Sequence, residues 1–409
     1  MTLLIRNARV VTPPAPGTQR GPAMAALRDL PAHDVLVEGD RIADVHPTGQ
    51  PPAPRATVID AAGRVLLPGL VDCHTHANWA GDRYAEWERL LAGATYQEIL
   101  ASGGGIHATV RAVRDASQNT LRDLLLERLD HMLRLGSTTV EVKSGYGLTR
   151  EHELKMLRAA ADAAARWPGT LVPTALLGHA IDPDRPDFVR ETINDTLPAV
   201  HAEFPGIAVD VFLERGAWSL DDARRLLRAA RDLGHPVRLH ADQFTSLGGI
   251  DLAIELSAAS VDHLEATTPD GAARLAASSV TGVVLPVCAM HLGRAGSAQA
   301  ADARAIIDRA GAVALATNYN PGSAPCPSLP NAAALAVRLC GVRPPEAITA
   351  CTANAAGVLG LSDRGCIAPG LQADLVLLRE RDPRAFTFAL GDDPVHAVVC
   401  AGRVVRPAG

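Results

Sequence analysis

Short apolar runs recur along the middle of the chain, with room for a helix between most neighbours. The runs are LLPGLVDCHTH, TTVEVKSG, TLVPTALLGHA, IAVDVFLE, PVRLHADQ, ASVDHLE, TGVVLPV and AVALATN. Segments such as TLRDLLLERLDHMLRLG and LDDARRLLRAARDLG separate them, with apolar residues three and four apart, as on the buried face of a helix. Eight buried strands alternating with helices predict an α/β fold, a (β/α)8 TIM-like barrel. Both chain ends read differently. LLIRNARVV, DVLVEGDRIADV and ATVIDAAGRVLLPG at the start, and GCIAPGLQADLVLL and HAVVCAGRVVRPA at the end, are strand runs broken by turn residues. They predict a small composite β-sandwich domain built from both termini, residues 1–65 plus 360–409, beside a barrel over 66–359. The proline-rich stretches TPPAPGTQRGPA and HPTGQPPAPRA read as loops within the terminal domain.

Composition narrows the function. The chain has 409 residues, 47% of them hydrophobic, and a net charge of −6. An acidic balance without a basic run interleaved with aromatics argues against a nucleic-acid partner. No apolar run reaches the roughly 18 residues of a membrane helix, and no charged segment precedes an apolar core at the start. Seven scattered cysteines without a CxxC pair suit a reduced, cytoplasmic setting better than a disulfide framework. Cys73 alternates with its histidine neighbours along a strand, so it points away from them and reads as packing. His131, His152, His201, His235 and His396 fall on helices or loops and read as solvated.

Polar residues gather where the predicted strands end. The first strand ends in His74-Thr75-His76, whose imidazoles share a face and can reach one ion. The third ends in His179, the fifth in His240-Ala241-Asp242-Gln243, the sixth in Asp262-His263 and the eighth in Asn318. Active sites of such barrels sit at these strand ends. SGGGIHATV lacks the Gly-Lys-Ser/Thr of a phosphate loop and reads instead as a segment passing close to something.

PGLVDCHTH leading into a barrel, with strands at both termini, resembles the amidohydrolase superfamily. GDRYAEWERLLAGATYQEILASGGGI, VEVKSGYGL, LLGHA, LHADQ, SVDHLE and ALATNYNPGS are similar to the imidazolonepropionase family within it, over nearly the whole chain. The resemblance implies hydrolysis of 4-imidazolone-5-propanoate to N-formimidoyl-L-glutamate, the third step of histidine degradation. It also implies one divalent metal, Zn or Fe, a small-molecule substrate, no membrane partner and a homodimer. Carried over by motif, His74, His76 and His240 are metal ligands. Arg83 clamps the propanoate, and Tyr96 closes over the same end. Tyr146 contacts the substrate, while His179 and Gln243 hold the ring. His263 is the catalytic histidine, and Asn320, Gly322 and Ser323 receive a carboxylate, their backbone N–H groups forming a nest. A positive φ at Gly322 is expected to bring that loop close to the ligand. Gln243 and Asn318 complete the catalytic set, Asn318 also as a fourth ligand.

Two departures accompany the resemblance. The family reads aspartate where this chain has Asn318, and an amide cannot take a proton. LPVCAMHLG after the seventh strand has Val287 where the family has glycine after the proline, and lacks the aromatic residues that follow. On the residues alone, two alternatives stay open. One is a hydrolase or deaminase of another small cyclic amide with an acid tail; the other is a catalytically silent binding homologue.

Overall fold

The computed structural model describes residues 2–49, 56–94, 98–99, 104–293 and 300–407. Its first five strands are β1 (Thr2–Thr12), β2 (Arg28–Glu38), β3 (Arg41–Pro47), β4 (Thr57–Asp60) and β5 (Val65–Pro68). The barrel strands follow as β6 (Leu70–Asp72), β7 (Ser137–Lys143), β8 (Thr170–Gly178), β9 (Ala208–Leu213), β10 (Arg238–Ala241), β11 (Ser260–His263), β12 (Thr281–Val284) and β13 (Val313–Leu315). β14 (Leu375–Leu378), β15 (Val395–Cys400) and β16 (Arg403–Arg406) end the chain. Every expected barrel strand is present.

Both termini enter one mixed sheet, ordered β16-β15-β14-β5-β1-β2-β3. β4 and β5 are not a hairpin despite the turn between them. They lie end to end, both parallel to β1, one against Leu3–Arg6 and the other against Arg9 and Val10. The sheet curls over itself, because Leu3, Val35 and Val37 share a core with Leu375, Leu377 and Val399 from its far side. Sandwich-like packing thus arises from a single hydrogen-bonded sheet. We propose Gly69 as the passage between the two units. Its N–H bonds Asp374 O at 2.7 Å, and a Cβ there would meet Thr138 Oγ1 at 2.3 Å.

The barrel strands run parallel in chain order from β6 to β13. Just past the strand ends two backbone bonds join the last to the first: Asn318 N to His74 O and His76 N to Tyr319 O, each 3.0 Å. The closing seam therefore runs through three of the candidate site residues. Helices start where a hydroxyl caps them. Ser117, Thr149, Ser219 and Thr268 each accept from a backbone N–H in the first turn, a bond typically contributing about 1 kcal/mol. One continuous apolar core, Cys73 included, fills the space between strands and helices. Among the described residues no helix is long and apolar enough to cross a membrane.

Candidate active site

The barrel interior beneath the strand ends is charged. Glu141 and Lys143 on β7, Asp210 on β9, Arg238 on β10 and Asp262 on β11 are all buried. Lys143 Nζ donates to Glu141 at 2.7 Å and to Asp210 at 2.8 Å; Arg238 donates to Glu141 at 3.1 Å and to Asp262 at 2.8 Å. Three carboxylates against two cations leave one net negative charge below the histidines. Lys143 is thus committed to ion pairs and is not poised to bridge two metals.

The carboxylates of this floor orient the imidazoles above it. Asp262 Oδ2 accepts from His74 Nδ1 at 2.6 Å, and Asp210 Oδ1 accepts from His240 Nδ1 at 3.1 Å. Each bond places the proton on Nδ1 and leaves a bare lone pair on Nε2. Burial, followed by neighbouring positive groups, holds His74 and His76 well below the ordinary imidazole range. Burial also lowers His240, despite the pull of Asp210.

These three side chains bring ligand atoms within 4.8 Å of one another. His74 Nε2 has no hydrogen-bond partner among the described residues. His76 Nε2 and His240 Nε2 lie 3.4 Å apart. Two nitrogens on one tetrahedral ion stand about 3.3 Å apart, given bonds of about 2.0–2.1 Å. The buried Oδ1 of Asn318 likewise has no partner among the described residues. Neutral imidazoles, orphaned lone pairs and carboxylates behind them make a donor set that fits a divalent metal.

Around this centre a cavity of about 160 Å³ opens, lined by His76, His179, His240, His263 and Asn318 at its metal end. Arg83, Tyr146, Gln243, Asn320, Gly322 and Ser323 line it as well. Of the expected site residues, His74 sits behind the wall and Tyr96 lies outside the described residues. Three of the strand ends turn with positive φ at non-glycine residues: Asp242 (55°), His263 (89°) and Asn318 (56°). Such backbone strain collects at functional sites.

His179 stacks on His76 with ring centroids 4.8 Å apart, and its Nδ1 donates to Gly145 O at 3.1 Å. Burial pushes it down to about 3, so the ring is neutral with an acceptor at Nε2. The KSGYGL loop that carries Tyr146 is built on Glu153, which sequence reasoning missed. Its carboxylate accepts from the N–H groups of Gly145, Gly147 and Leu148 at 2.8–2.9 Å. A Cβ on Gly147 would lie 2.5 Å from Glu153 N, so only glycine fits there.

At the other end Arg83 pairs with Glu86, the local ion pair its sequence neighbours suggest, and still faces the cavity. Gly322 does not adopt the expected positive φ. A Cβ there would stand 3.0 Å from Arg83 Nη1, so any larger residue would press on the guanidinium. The expected nest is also different. Gly322 N and Ser323 N both donate to Asn320 Oδ1 at 2.8 Å, so the side chain of Asn320 already holds those donors. His235, expected in solvent, is buried and donates to Ile207 O at 2.7 Å.

His263 differs from the other histidines. Burial alone would lower it, but Glu265, at 3.3 Å from Nδ1, and Cys288 outweigh that and push it to about 10. Cys288 comes from the divergent LPVCAMHLG segment, which forms the helix Pro286–Leu292.

A barrel with a histidine-rich centre at its strand ends and a curled sheet from both termini is the design of a metal-dependent hydrolase. A profile of the amidohydrolase family matches residues 65–405, and the chain belongs to that family. Within it, the chain belongs with the imidazolonepropionases. It is 45% identical to the imidazolonepropionase of Deinococcus deserti over 98% of each chain, and 44% identical to that of Rubrobacter xylanophilus over 99% of each. The crystal structure of atrazine chlorohydrolase from Arthrobacter aurescens complexed with zinc shares the fold. Its TM-score is 0.71 at 16% identity, over 99% of this chain and 95% of that one.

Proposed function

We propose that the cavity hydrolyses the endocyclic amide of 4-imidazolone-5-propanoate to give N-formimidoyl-L-glutamate. The full-length likeness to imidazolonepropionases carries the substrate assignment. The orphaned Nε2 of His74 and the convergence of His74, His76 and His240 within 4.8 Å support the metal chemistry. A divalent ion held there, zinc or iron, would lower the pKa of a bound water towards neutrality and so supply the nucleophile.

The protein groups divide the remaining work. Arg83 takes the propanoate, for which its planar fork is matched, and Ser323 lines the same cavity. His179, neutral with a lone pair at Nε2, accepts from a ring N–H. Gln243 offers a donor and an acceptor to the ring amide. His263, charged, donates to the carbonyl oxygen as negative charge develops there. It then passes its proton to the departing ring nitrogen and recovers one from the attacking water. One C–O bond forms, one C–N bond breaks, and one proton moves from water to nitrogen. Asn318 holds water through Oδ1 but cannot take its proton, which leaves His263 as the shuttle.

Turnover of 4-imidazolone-5-propanoate by the protein loaded with one equivalent of zinc or iron tests the assignment. Formation of N-formimidoyl-L-glutamate is expected. A fully loaded protein that leaves the ring intact overturns it.

A further inference from the structure

The two neighbours that keep His263 charged, Glu265 and Cys288, are themselves donors that metals accept. The helix Pro286–Leu292 turns Cys288 back towards the end of β11. A nitrogen of His263, a carboxylate oxygen of Glu265 and the sulfur of Cys288 all lie within 4.8 Å of one another. All three are withdrawn from solvent: Cys288 is 1% exposed, and the side chains of His263 and Glu265 are 3% and 4% exposed. Among the described residues only this cluster and the histidine triad bring three such donors together.

The geometry is loose for a hydrogen-bonded pair and suitable for a shared ion. His263 Nδ1 stands 3.3 Å from the Glu265 carboxylate. A charge-assisted bond closes to about 2.7–2.9 Å, whereas two ligands on one tetrahedral ion stand about 3.3 Å apart. Glu265 Oε2 is buried and has no hydrogen-bond partner among the described residues. Gln243 Nε2, 3.4 Å from Cys288 Sγ, steadies the sulfur from the cavity side. Thiolate, imidazole and carboxylate together suit a soft or borderline ion and not magnesium or calcium.

We propose that His263, Glu265 and Cys288 form a second cation site, selective for thiophilic divalent ions such as zinc, cobalt or cadmium, whose occupation silences the enzyme. Binding displaces the thiol proton and the proton His263 shares with Glu265, and the ion then holds the imidazole away from proton transfer. The site stands on its three donors alone; its silencing effect rests on the role given to His263 above.

Titration of the metal-free protein with cobalt tests this. Two equivalents are expected to bind, the second bringing a thiolate-to-cobalt charge-transfer band in the near ultraviolet. Cys288→Ser is expected to lose that band and the second equivalent while keeping the first. Glu265→Gln, which spares the thiol but removes a direct ligand, is expected to weaken the second equivalent by at least about 10-fold, the loss that even an outer partner of a ligand brings. With zinc, turnover is expected at one equivalent and its loss at two. A single equivalent without a thiolate band, or a band that survives in Cys288→Ser, overturns the site. A second equivalent that binds through Cys288 yet leaves turnover intact overturns the silencing. Absent turnover at one equivalent speaks against the hydrolase reading instead, and the spectrum still decides the site.

Discussion

Replacing Asn318 with aspartate puts a carboxylate where the structure holds an orphaned, buried amide oxygen. The backbone accepts the change, since φ is 56° and asparagine and aspartate share that preference. Without metal the new carboxylate sits above a floor that already carries net negative charge. Asp72 in the same barrel shows the cost: burial raises it from 3.8 to about 7. Leaving a buried charge uncompensated costs about 3–5 kcal/mol. A folded-state pKa above the unfolded one penalises the fold only where the unfolded carboxyl is ionised. The penalty is therefore absent below about pH 4, grows as pH rises, and is complete above about pH 7. A bound dication reverses the sign, because the carboxylate becomes a charged ligand and a proton acceptor. Recovering a positioned base raises turnover by about 10²–10⁴-fold, equivalent to about 3–5 kcal/mol of barrier. Chemical denaturation at pH 8 with and without one equivalent of zinc, beside steady-state turnover, reads both effects. Asn318→Asp is expected to be less stable than the parent without metal and to gain more from zinc. Equal stability in both conditions with unchanged turnover would show that residue 318 does not face the ion.

Arg238→Met leaves Glu141 and Asp262 buried without their shared cation. Breaking a buried pair in this way costs about 3–5 kcal/mol, and denaturation with urea should show a loss of that size. Stability should also depend on His263, whose folded-state pKa of about 10 lies above its ordinary 6.5. Its contribution is complete below about pH 6.5 and fades as pH rises towards 10, so the metal-free protein should lose stability over that window. Glu265→Gln should flatten the profile, and an unchanged slope refutes the coupling. Arg83→Lys keeps the charge but loses the fork, so KM for the propanoate substrate should rise while kcat changes little. An equal fall in kcat would place Arg83 in the chemical step instead.

The strand-end histidines were legible because their signal is local. His74 and His76 share a face through the two-residue repeat of a strand, and each apolar run announces where its strand stops. Glu153 was hidden because its purpose lies in three backbone N–H groups of a loop, and no pattern of side chains marks a carboxylate for that use. The loop at Asn320 was misread for a related reason. Its N–H groups were expected to face a ligand, yet they are held by the side chain two and three residues back.

The run of residues carries the eight strands, the meeting of the termini in one β unit and the polar residues at the strand ends. Periodicity and turn chemistry act over a few residues and survive in the linear chain. Tertiary structure alone decided which partner each of those residues meets. His74 finds Asp262 188 positions away, and Arg238 finds Glu141 97 positions away, because barrel closure brings the inner faces of distant strands together. The same closure set the histidine tautomers, the charged floor and the cluster around His263. Those properties depend on strand register and burial, which no single segment contains.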